Sequence, residues 1–189
     1  MIVAIIQARM GSTRLEGKVL HDLCGKPVLW HVWDRVAHAR TIDRIVIATT
    51  GKREDNTIED FCKKYRITCF RGDERDVLKR YFGASRMLQE KGASIDYIVR
   101  ITADCPLIDP EIIDRTVSHA IEGGFDYVTT SNPPSFPDGI DVEVFTPRAL
   151  EIAHRNAVLP SEREHVTQYI IKNRIFSKSN VKNPCDLSA

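Results

Sequence analysis

The sequence predicts an α/β fold of three layers, in which helices cover a mixed, mainly parallel β-sheet. Short runs rich in β-branched residues alternate along the chain with longer amphipathic segments, and this alternation is typical of strands joined by helical crossovers. The length of 189 residues fits one domain. The apolar content of 42% and the charged content of 28% are ordinary for a folded globular protein.

Four strands and three helices are predicted in residues 1–101. The strands are, in order, Ile2–Gln7, Arg44–Ala48, Ile67–Phe70 and Asp96–Ile101. Pro27 can open the first helix, because proline is favoured at the first helical position. The second helix has apolar residues at i, i+3, i+4 and i+7 from Ile58, and the third is amphipathic from Val77 to Leu88.

A fourth helix has clear signals at both ends. Asp109 is a good N-cap, Pro110 takes the first helical position, and Gly123 stops the helix. The residues predicted to face the core are Ile112, Ile113, Val117, Ala120 and Ile121. Phe125–Thr129 follows as a further strand.

The pattern changes beyond residue 130. Ser131–Gly139 is rich in proline and predicts a loop, whereas Ile140–Phe145 alternates like a strand with one exposed face. Thr146–Pro147 opens another helix, and Ser161–Glu164 has the spacing of a capping box for the last one. The polar tail from Ser177 onward carries no clear element.

Charge and composition exclude several classes of protein. The 27 basic and 26 acidic residues nearly cancel, which argues against a general nucleic-acid binder. The apolar N-terminal run is too short for a signal peptide or a membrane span, so we expect a cytoplasmic protein without a membrane partner.

The five cysteines are odd in number and lack CxxC spacing. A zinc site or disulfide framework is therefore not predicted, and we expect reduced thiols.

The unusual polar residues follow the predicted strands. Ligands of open parallel sheets bind outside the carboxyl ends of the strands. The loops at those ends are Ala8–Lys18, Thr49–Arg53, Arg71–Arg75 and Thr102–Asp109. We therefore expect these four loops to form one composite site.

The first loop has the composition of a polyphosphate cradle. Gly11 and Gly17 allow close backbone approach, and Arg9, Arg14 and Lys18 can surround phosphates. The loop is not a Walker A motif, because five residues separate the glycines and a valine stands at the Ser/Thr position. The alternative interpretation is a solvated basic turn.

The fourth loop supplies a candidate metal ligand. Asp104 comes just after a buried strand, where a carboxylate can hold Mg²⁺ that bridges phosphate oxygens. The alternative interpretation of an aspartate at this position is a cap or turn residue. Asp109 is explained by its role as a helix cap. Cations on the first loop and an oxygen ligand on the fourth together favour a nucleoside triphosphate with Mg²⁺.

Several other residues have two interpretations. Asp141 and Glu143 share one face of a strand, and they fit either a metal or sugar site or a solvated outer face. Glu164 fits the capping box, and His165 fits either a contact to sugar or phosphate or a surface position. A charged Arg100 within a strand either reaches into the site or pairs with a carboxylate.

Five stretches of sequence resemble the sugar cytidylyltransferases. They are Gln7–Lys18 with Gly25–Leu29, Arg100–Ile108, Phe136–Phe145 and Arg163–Thr167. The chain is similar over almost its whole length to that family, whose members activate acidic sugars such as 3-deoxy-manno-octulosonate and sialic acid. Its features are nearest to the branch of spore-coat polysaccharide biosynthesis proteins.

The resemblance implies a Rossmann-like nucleotidyltransferase fold, of the nucleotide-diphospho-sugar transferase type, and a homodimer. It implies that residues 1–130 of the single domain bind the nucleotide, with CTP favoured, and that residues 131–176 serve sugar binding and dimerisation. The candidate catalytic residues are Arg14, Lys18 and Asp104. The candidate nucleotide-binding residues are Gln7, Ala8, Arg9, Gly11, Ser12, Arg14, Lys18, Thr49, Arg71, Arg100 and Thr102. The candidate sugar-binding residues are Asp138, Asp141, Glu143 and His165, and the candidate Mg²⁺ ligands are Asp104 and Asp141.

The chain departs from the family pattern at two places. Glu16 stands where the family commonly has proline, which is tolerable in a phosphate loop only if the side chain points outward. Relatives also continue past Asp186–Ser188 into a strand and a Thr-Val-Asp-type motif whose aspartate helps to bind metal. The expectation is either a shortened protein or replacement of that aspartate by another carboxylate such as Asp141.

Three functions are compatible with these sequence features. The first is Mg²⁺-dependent transfer of a nucleotidyl group, CMP from CTP, to a sugar for surface or spore-coat polysaccharide synthesis. The second is a glycosyltransferase of the related fold that uses Asp141–Glu143 as a DxD-like metal clamp. The third is a non-catalytic nucleotide-binding homologue.

Overall fold

A computed structural model describes residues 1–12 and 15–188. In chain order the elements are β1 (Ile2–Gln7), β2 (Asp22–Leu23), β3 (Lys26–Pro27), α1 (Val28–Ala37), β4 (Arg44–Thr50), α2 (Asn56–Tyr65), β5 (Thr68–Gly72), α3 (Val77–Glu90), β6 (Tyr97–Thr102), α4 (Pro110–Gly123), β7 (Tyr127–Thr129), β8 (Glu143–Phe145), α5 (Pro147–Asn156), α6 (Pro160–Glu164), α7 (Gln168–Lys172) and β9 (Lys178–Asn180). Short 3₁₀ helices cover Lys18–Leu20 and Arg53–Asp55.

The described residues form one main sheet in the order β5-β4-β1-β6-β8-β7-β9. Strand β8 is antiparallel to both of its neighbours, whereas the other pairs are parallel. The predicted mixed, mainly parallel sheet is therefore confirmed. The chain winds outward from β1 through β4 to β5 and then returns to place β6 on the other side of β1. A crevice at the carboxyl ends of β1 and β6 is thus the expected ligand site.

Helices pack against both faces of the sheet and make two cores. On one face Ala4 and Ile6 of β1 pack with residues of α1, α2 and α4. On the other face Val3 and Ile5 of the same strand pack with α3, α5 and Tyr81. Because successive side chains of a strand point to opposite faces, a strand covered on both sides is apolar throughout. This explains why β1 could be recognised as an unbroken apolar run.

The N-terminus of α4 is capped as the sequence predicts. The side chain of Asp109 accepts hydrogen bonds from the backbone N–H groups of Glu111 at 2.7 Å and Ile112 at 3.4 Å. Replacing Asp109 with Ala is expected to lower the free energy of unfolding by about 1 kcal/mol, since two N–H groups lose their acceptor. Urea denaturation measures this loss, and a cap-retaining Asp109→Ser variant should recover most of it. An unchanged free energy of unfolding in Asp109→Ala would contradict the capping role.

Several sequence predictions are wrong at the boundaries of elements. Ile121 is 51% exposed rather than in the core, and α4 ends at Gly123 with Gly124 as the left-handed residue beyond it (φ +60°). The predicted featureless tail contains β9, which pairs with β7 at the edge of the sheet. Polar residues can form such an edge strand, because one side of the strand has no neighbour and the apolar signal is weak.

The segment predicted as an exposed-face strand differs most. Only Glu143–Phe145 of it forms a strand, and β8 lies inside the sheet with all three residues buried. The interpretation of Glu143 as part of a solvated outer face is therefore wrong, whereas Asp141 precedes the strand and is exposed. The alternation of apolar and charged residues predicted that Glu143 faces solvent. A charged residue at such a position gives the same sequence pattern whether it is exposed or buried in an ion pair.

The predicted capping box is also wrong. Helix α6 begins at Pro160, and the carboxylate of Glu162 accepts from the backbone N–H of Leu159 at 3.4 Å. Glu164 therefore ends the helix instead of capping it. The predicted last helix is divided into α6 and α7 by Val166, whose φ is +56°.

All five cysteines lie in the described part of the chain and are free thiols there. No helix within that part is long and apolar enough to cross a membrane.

Candidate active site

Two adjoining clefts lie at the carboxyl ends of β1 and β6. The smaller has a volume of about 270 Å³ and the larger about 480 Å³. Gln7 and Arg9 line both of them, so the end of β1 forms the boundary between the two. The site therefore lies at the position where the sheet changes its winding direction, as open α/β sheets predict.

The smaller cleft contains an ion pair between the first and fourth loops. The Nζ atom of Lys18 donates to Oδ2 of Asp104 at 2.7 Å, and the polar residues Ser12, Arg9 and Thr102 also line this cleft. Burial opposes ionisation of Asp104, but the hydrogen bond and charge of Lys18 outweigh it and hold the pKa of this carboxyl below its ordinary value. The cleft therefore presents a carboxylate, whose ionised form is favoured, beside a cation.

The first loop is folded around the carbonyl group of Met10. This carbonyl accepts from the N–H groups of Ser12 at 2.8 Å and Gly17 at 2.9 Å. Gly17 has a φ of +66°, which a side chain disfavours. Glu16 is exposed and lines neither cleft, so its negative charge lies outside the site, as the loop interpretation requires.

The buried carboxylate of Asp55 supports the first loop from behind. It accepts from the N–H of Met10 at 2.7 Å and from the hydroxyl of Thr50. The 3₁₀ helix that follows the second loop thus positions the first loop without entering the clefts. Sequence analysis missed Asp55, which sits in a charged segment where an acidic residue gives no distinct signal.

The larger cleft is lined by several arginines. Arg163 donates to Asp76 at 2.9 Å from Nε, so its charge is paired. Arg80 is only 2% exposed, and its Nη1 donates to the backbone carbonyl of Asp73 at 2.7 Å. It forms no ion pair with a carboxylate of the described residues, and its Nε is buried without a partner. An unpaired cation in the wall of a cleft favours a ligand with anionic or acceptor groups.

Arg100 and Glu143 form a buried network beneath the larger cleft. Nη1 of Arg100 donates to Oε2 of Glu143, and Oε1 of Glu143 accepts from the hydroxyls of Tyr127 and Thr167, each at 2.6 Å. Burial opposes the charge of Arg100, but Glu143 outweighs it and raises the pKa of the guanidinium. Nε of Arg100 also donates to Oε1 of Gln7 at 3.2 Å.

This network decides between the interpretations of Arg100 and Glu143. Arg100 both pairs with a carboxylate and lines the larger cleft. Glu143 is committed to three protein donors and lines neither cleft. A direct sugar contact by Glu143, as expected from the sequence, therefore has no free oxygen to support it.

The other candidate residues separate into two groups. Those that line a cleft are Gln7, Ala8, Arg9, Ser12, Lys18, Arg100, Thr102, Asp104, Glu164 and His165. Those that line neither are Gly11, Thr49, Arg71, Asp138 and Asp141. Arg14 lies outside the described residues.

The side chain of Arg71 is occupied by the protein itself. It donates to the backbone carbonyls of Thr50 at 2.9 Å and Lys52 at 2.6 Å and to the side chains of Asn56 and Glu59. This guanidinium joins the second loop to α2. The third loop instead reaches the larger cleft through Glu74–Val77.

Sequence comparison identifies the family to which these residues belong. Residues 3–183 match the sequence profile of the cytidylyltransferase family. The chain belongs to this family. Cytidylyltransferases are nucleotidyltransferase enzymes.

Individual relatives agree with this assignment. The spore coat polysaccharide biosynthesis protein SpsF of Bacillus subtilis is 37% identical over 89% of this chain and 69% of its own length. The 3-deoxy-manno-octulosonate cytidylyltransferase of Geobacter sulfurreducens is 38% identical over 64% of this chain and 46% of its own length. A solved cytidylyltransferase from Leptospira borgpetersenii serovar Hardjo-bovis has a TM-score of 0.91 and 34% identity, and covers 99% of this chain and 78% of that protein. The Rossmann-like nucleotidyltransferase fold is thereby confirmed.

Proposed function

We propose that this cytidylyltransferase transfers CMP from CTP to an acidic sugar in a Mg²⁺-dependent reaction that releases pyrophosphate. The observation that carries the proposal is the Lys18–Asp104 ion pair, which holds a cation and an ionised carboxylate within 2.7 Å in the smaller cleft. These are the two charges that a metal-bound polyphosphate needs. The product would serve surface polysaccharide synthesis, as the name of the SpsF relative suggests.

The dimensions and charges of the clefts support one orientation of the nucleotide. Lys18, Arg9 and Ser12 favour the β- and γ-phosphates in the smaller cleft. The larger cleft has room for the cytidine and sugar groups. The unpaired Arg80 in its wall favours acceptor or anionic groups there. An acidic sugar supplies such a group, which agrees with the substrate named for the Geobacter relative.

The residues of the site fit a Mg²⁺ ion that is bound mainly by the phosphates of the substrate. The described residues contain no cluster of three or more His, Cys, Asp or Glu side chains that could hold a metal ion. Mg²⁺ commonly binds through one or two carboxylates together with substrate phosphates and water. Asp104 is ionised and 42% exposed on its side chain, so it fits as the protein ligand. When bound, the metal would neutralise charge on the phosphate oxygens.

The residues of the site then act by position and charge. A sugar oxygen forms a bond to the α-phosphorus while the bond from that phosphorus to the bridging oxygen of pyrophosphate breaks, and the proton of the sugar hydroxyl passes to water. Lys18 and Arg9 neutralise the charge that accumulates on the departing pyrophosphate. Asp55 and Gly17 keep the loop that carries both cations in place.

The proposal is tested by pyrophosphate release. Purified protein is incubated with Mg²⁺, each of the four nucleoside triphosphates and a panel of acidic and neutral sugars. Release that requires CTP together with an acidic sugar is expected. Release with a neutral sugar alone would overturn the acidic substrate class, and no release with any pair, despite a CTP-induced thermal shift, would favour a non-catalytic nucleotide-binding homologue.

The glycosyltransferase alternative is disfavoured by the structure of its supposed metal clamp. Val142 is fully buried, and Glu143 is committed to Arg100, Tyr127 and Thr167. Asp141 would therefore be the sole free carboxylate of the Asp141–Glu143 segment. Tighter binding of an intact nucleotide-sugar than of CTP in calorimetry would restore this alternative.

A further inference from the structure

The orientation of the Gln7 side chain follows from its hydrogen bond to Arg100. Nε of arginine can only donate, so the group that faces it at 3.2 Å must be the amide oxygen of Gln7. The NH₂ group of Gln7 then lies in the same amide plane, on the opposite side of the Cγ–Cδ bond, and points away from Arg100. It has no hydrogen-bond partner among the described residues and is not buried, and Gln7 lines both clefts. Two N–H donors are thus open at the boundary of the clefts.

The position of this donor group relative to the nucleotide follows from the two clefts. If the β- and γ-phosphates occupy the smaller cleft and the organic groups occupy the larger one, the α-phosphate lies where the two meet. Gln7 stands at that boundary, at the carboxyl end of β1. Transfer of the nucleotidyl group changes the charge on the non-bridging oxygens of the α-phosphate, and a fixed N–H donor is most effective where charge develops.

The residues below Gln7 explain how its amide is held. Tyr127 and Thr167 each donate to Glu143, Glu143 accepts from Arg100, and Arg100 donates to Gln7. Glu143 is 7% exposed and Thr167 is 2% exposed, so solvent cannot easily replace these bonds. An arginine side chain can only donate hydrogen bonds. The bonds from Arg100 to Glu143 and to Gln7 therefore have a fixed direction.

We infer that Gln7 donates a hydrogen bond to the α-phosphate of the bound nucleotide, and that Arg100 and Glu143 are positioning residues that fix its amide. The inference rests on the proposed function. It adds a role that neither Lys18 nor Asp104 can take, because those two residues line the smaller cleft alone. It also gives a function to an ion pair that would otherwise be only structural.

The direct test is Gln7→Met, which keeps the length of the side chain and removes the amide. The kcat for pyrophosphate release should fall by about 10²-fold, with a much smaller change in the KM for CTP. Gln89→Met, in the last turn of α3 and outside both clefts, makes the same chemical change and should leave kcat unaltered. A rise in KM for CTP with unchanged kcat would overturn the inference, since it would show ground-state binding only.

The positioning role is tested by a double-mutant cycle with Tyr127→Phe. This variant removes one donor to Glu143 with little change in volume. It should lower kcat several-fold when Gln7 is present and have no further effect in the Gln7→Met background. Its effect on the melting temperature should be equal in both backgrounds. Equal effects on kcat in both backgrounds would show that Tyr127 acts on the fold and not through Gln7.

A spectroscopic measurement separates failure of this inference from failure of the proposed function. The side-chain NH₂ resonances of Gln7, assigned by their loss in Gln7→Met, should shift when CTP and Mg²⁺ are added without any sugar. If wild-type protein releases no pyrophosphate but these resonances shift, the proposed turnover is wrong and the Gln7 contact stands. If they do not shift while CTP binds, the contact is wrong whatever the turnover.

Discussion

Replacing Asp104 with Asn is expected to lower the kcat of pyrophosphate release by about 10³-fold while the protein stays folded. Substitutions in the outer shell of a metal site already cost about 10–100-fold, and Asp104 is proposed as the direct ligand. The variant also removes the ionised partner of Lys18 at 2.7 Å. Because the pair is partly exposed, the stability of the fold should change little. Pyrophosphate release at saturating CTP measures the effect, and circular dichroism confirms folding.

Asp109→Asn is the matched control for this experiment. This variant makes the same chemical change five residues farther along the chain. The carboxylate of Asp109 caps α4, and asparagine caps a helix nearly as well as aspartate. The control should retain wild-type kcat. Retention of wild-type kcat by Asp104→Asn across a range of Mg²⁺ concentrations would remove Asp104 from the proposed site, whereas recovery at high Mg²⁺ would locate its role in metal affinity.

Replacing Glu143 with Ala is expected to lower the free energy of unfolding by about 3–5 kcal/mol. The variant leaves Arg100 buried without its carboxylate and the hydroxyl of Tyr127 without its acceptor, and it removes the shorter of the two hydrogen bonds of the Thr167 hydroxyl. Each of these groups is costly to bury alone. In a protein of this size the melting temperature should fall by roughly 6–20 °C. Urea denaturation and thermal melts followed by circular dichroism measure both quantities.

The control for Glu143 is an exposed member of a helical ion pair. Glu151 pairs with Arg155 one turn along α5 at 2.5 Å, and its replacement by Ala should cost less than about 0.5 kcal/mol. A loss below about 1 kcal/mol for Glu143→Ala would mean that water reaches Arg100 and compensates it. That result would also weaken the proposed rigid support of Gln7.

The sequence predicts the inner part of this fold well. Strand β1 is identified to the residue, and Asp109 and Thr146 cap their helices as expected. These elements have strong local signals, namely an unbroken apolar run or a capping side chain before proline. The meeting of the first and fourth loops at Lys18 and Asp104 is also predictable, because the order of parallel strands brings their carboxyl ends together.

The outer part of the fold depends on contacts that the sequence does not display. Glu143 is buried only because β8 enters between β6 and β7, which brings Arg100, Tyr127 and Thr167 to its two oxygens. These partners are 43, 16 and 24 residues away along the chain. Arg71 is comparable, since nothing local distinguishes a guanidinium that joins a loop to a helix from one that faces a ligand. Long-range pairing of polar groups therefore limits the prediction of site residues more than the prediction of elements.

The ion pair between Lys18 and Asp104 has a consequence for selectivity among anions. In the free protein each of these charges satisfies the other, so inorganic phosphate or sulfate gains Lys18 only by leaving a carboxylate unmatched. A nucleotide with bound Mg²⁺ carries negative charge on its phosphates and positive charge on the metal. It can therefore pair with Lys18 and with Asp104 at the same time. We therefore expect the empty site to resist the abundant free anions of a cell and to admit the chelate, a discrimination based on charge alternation and not on shape.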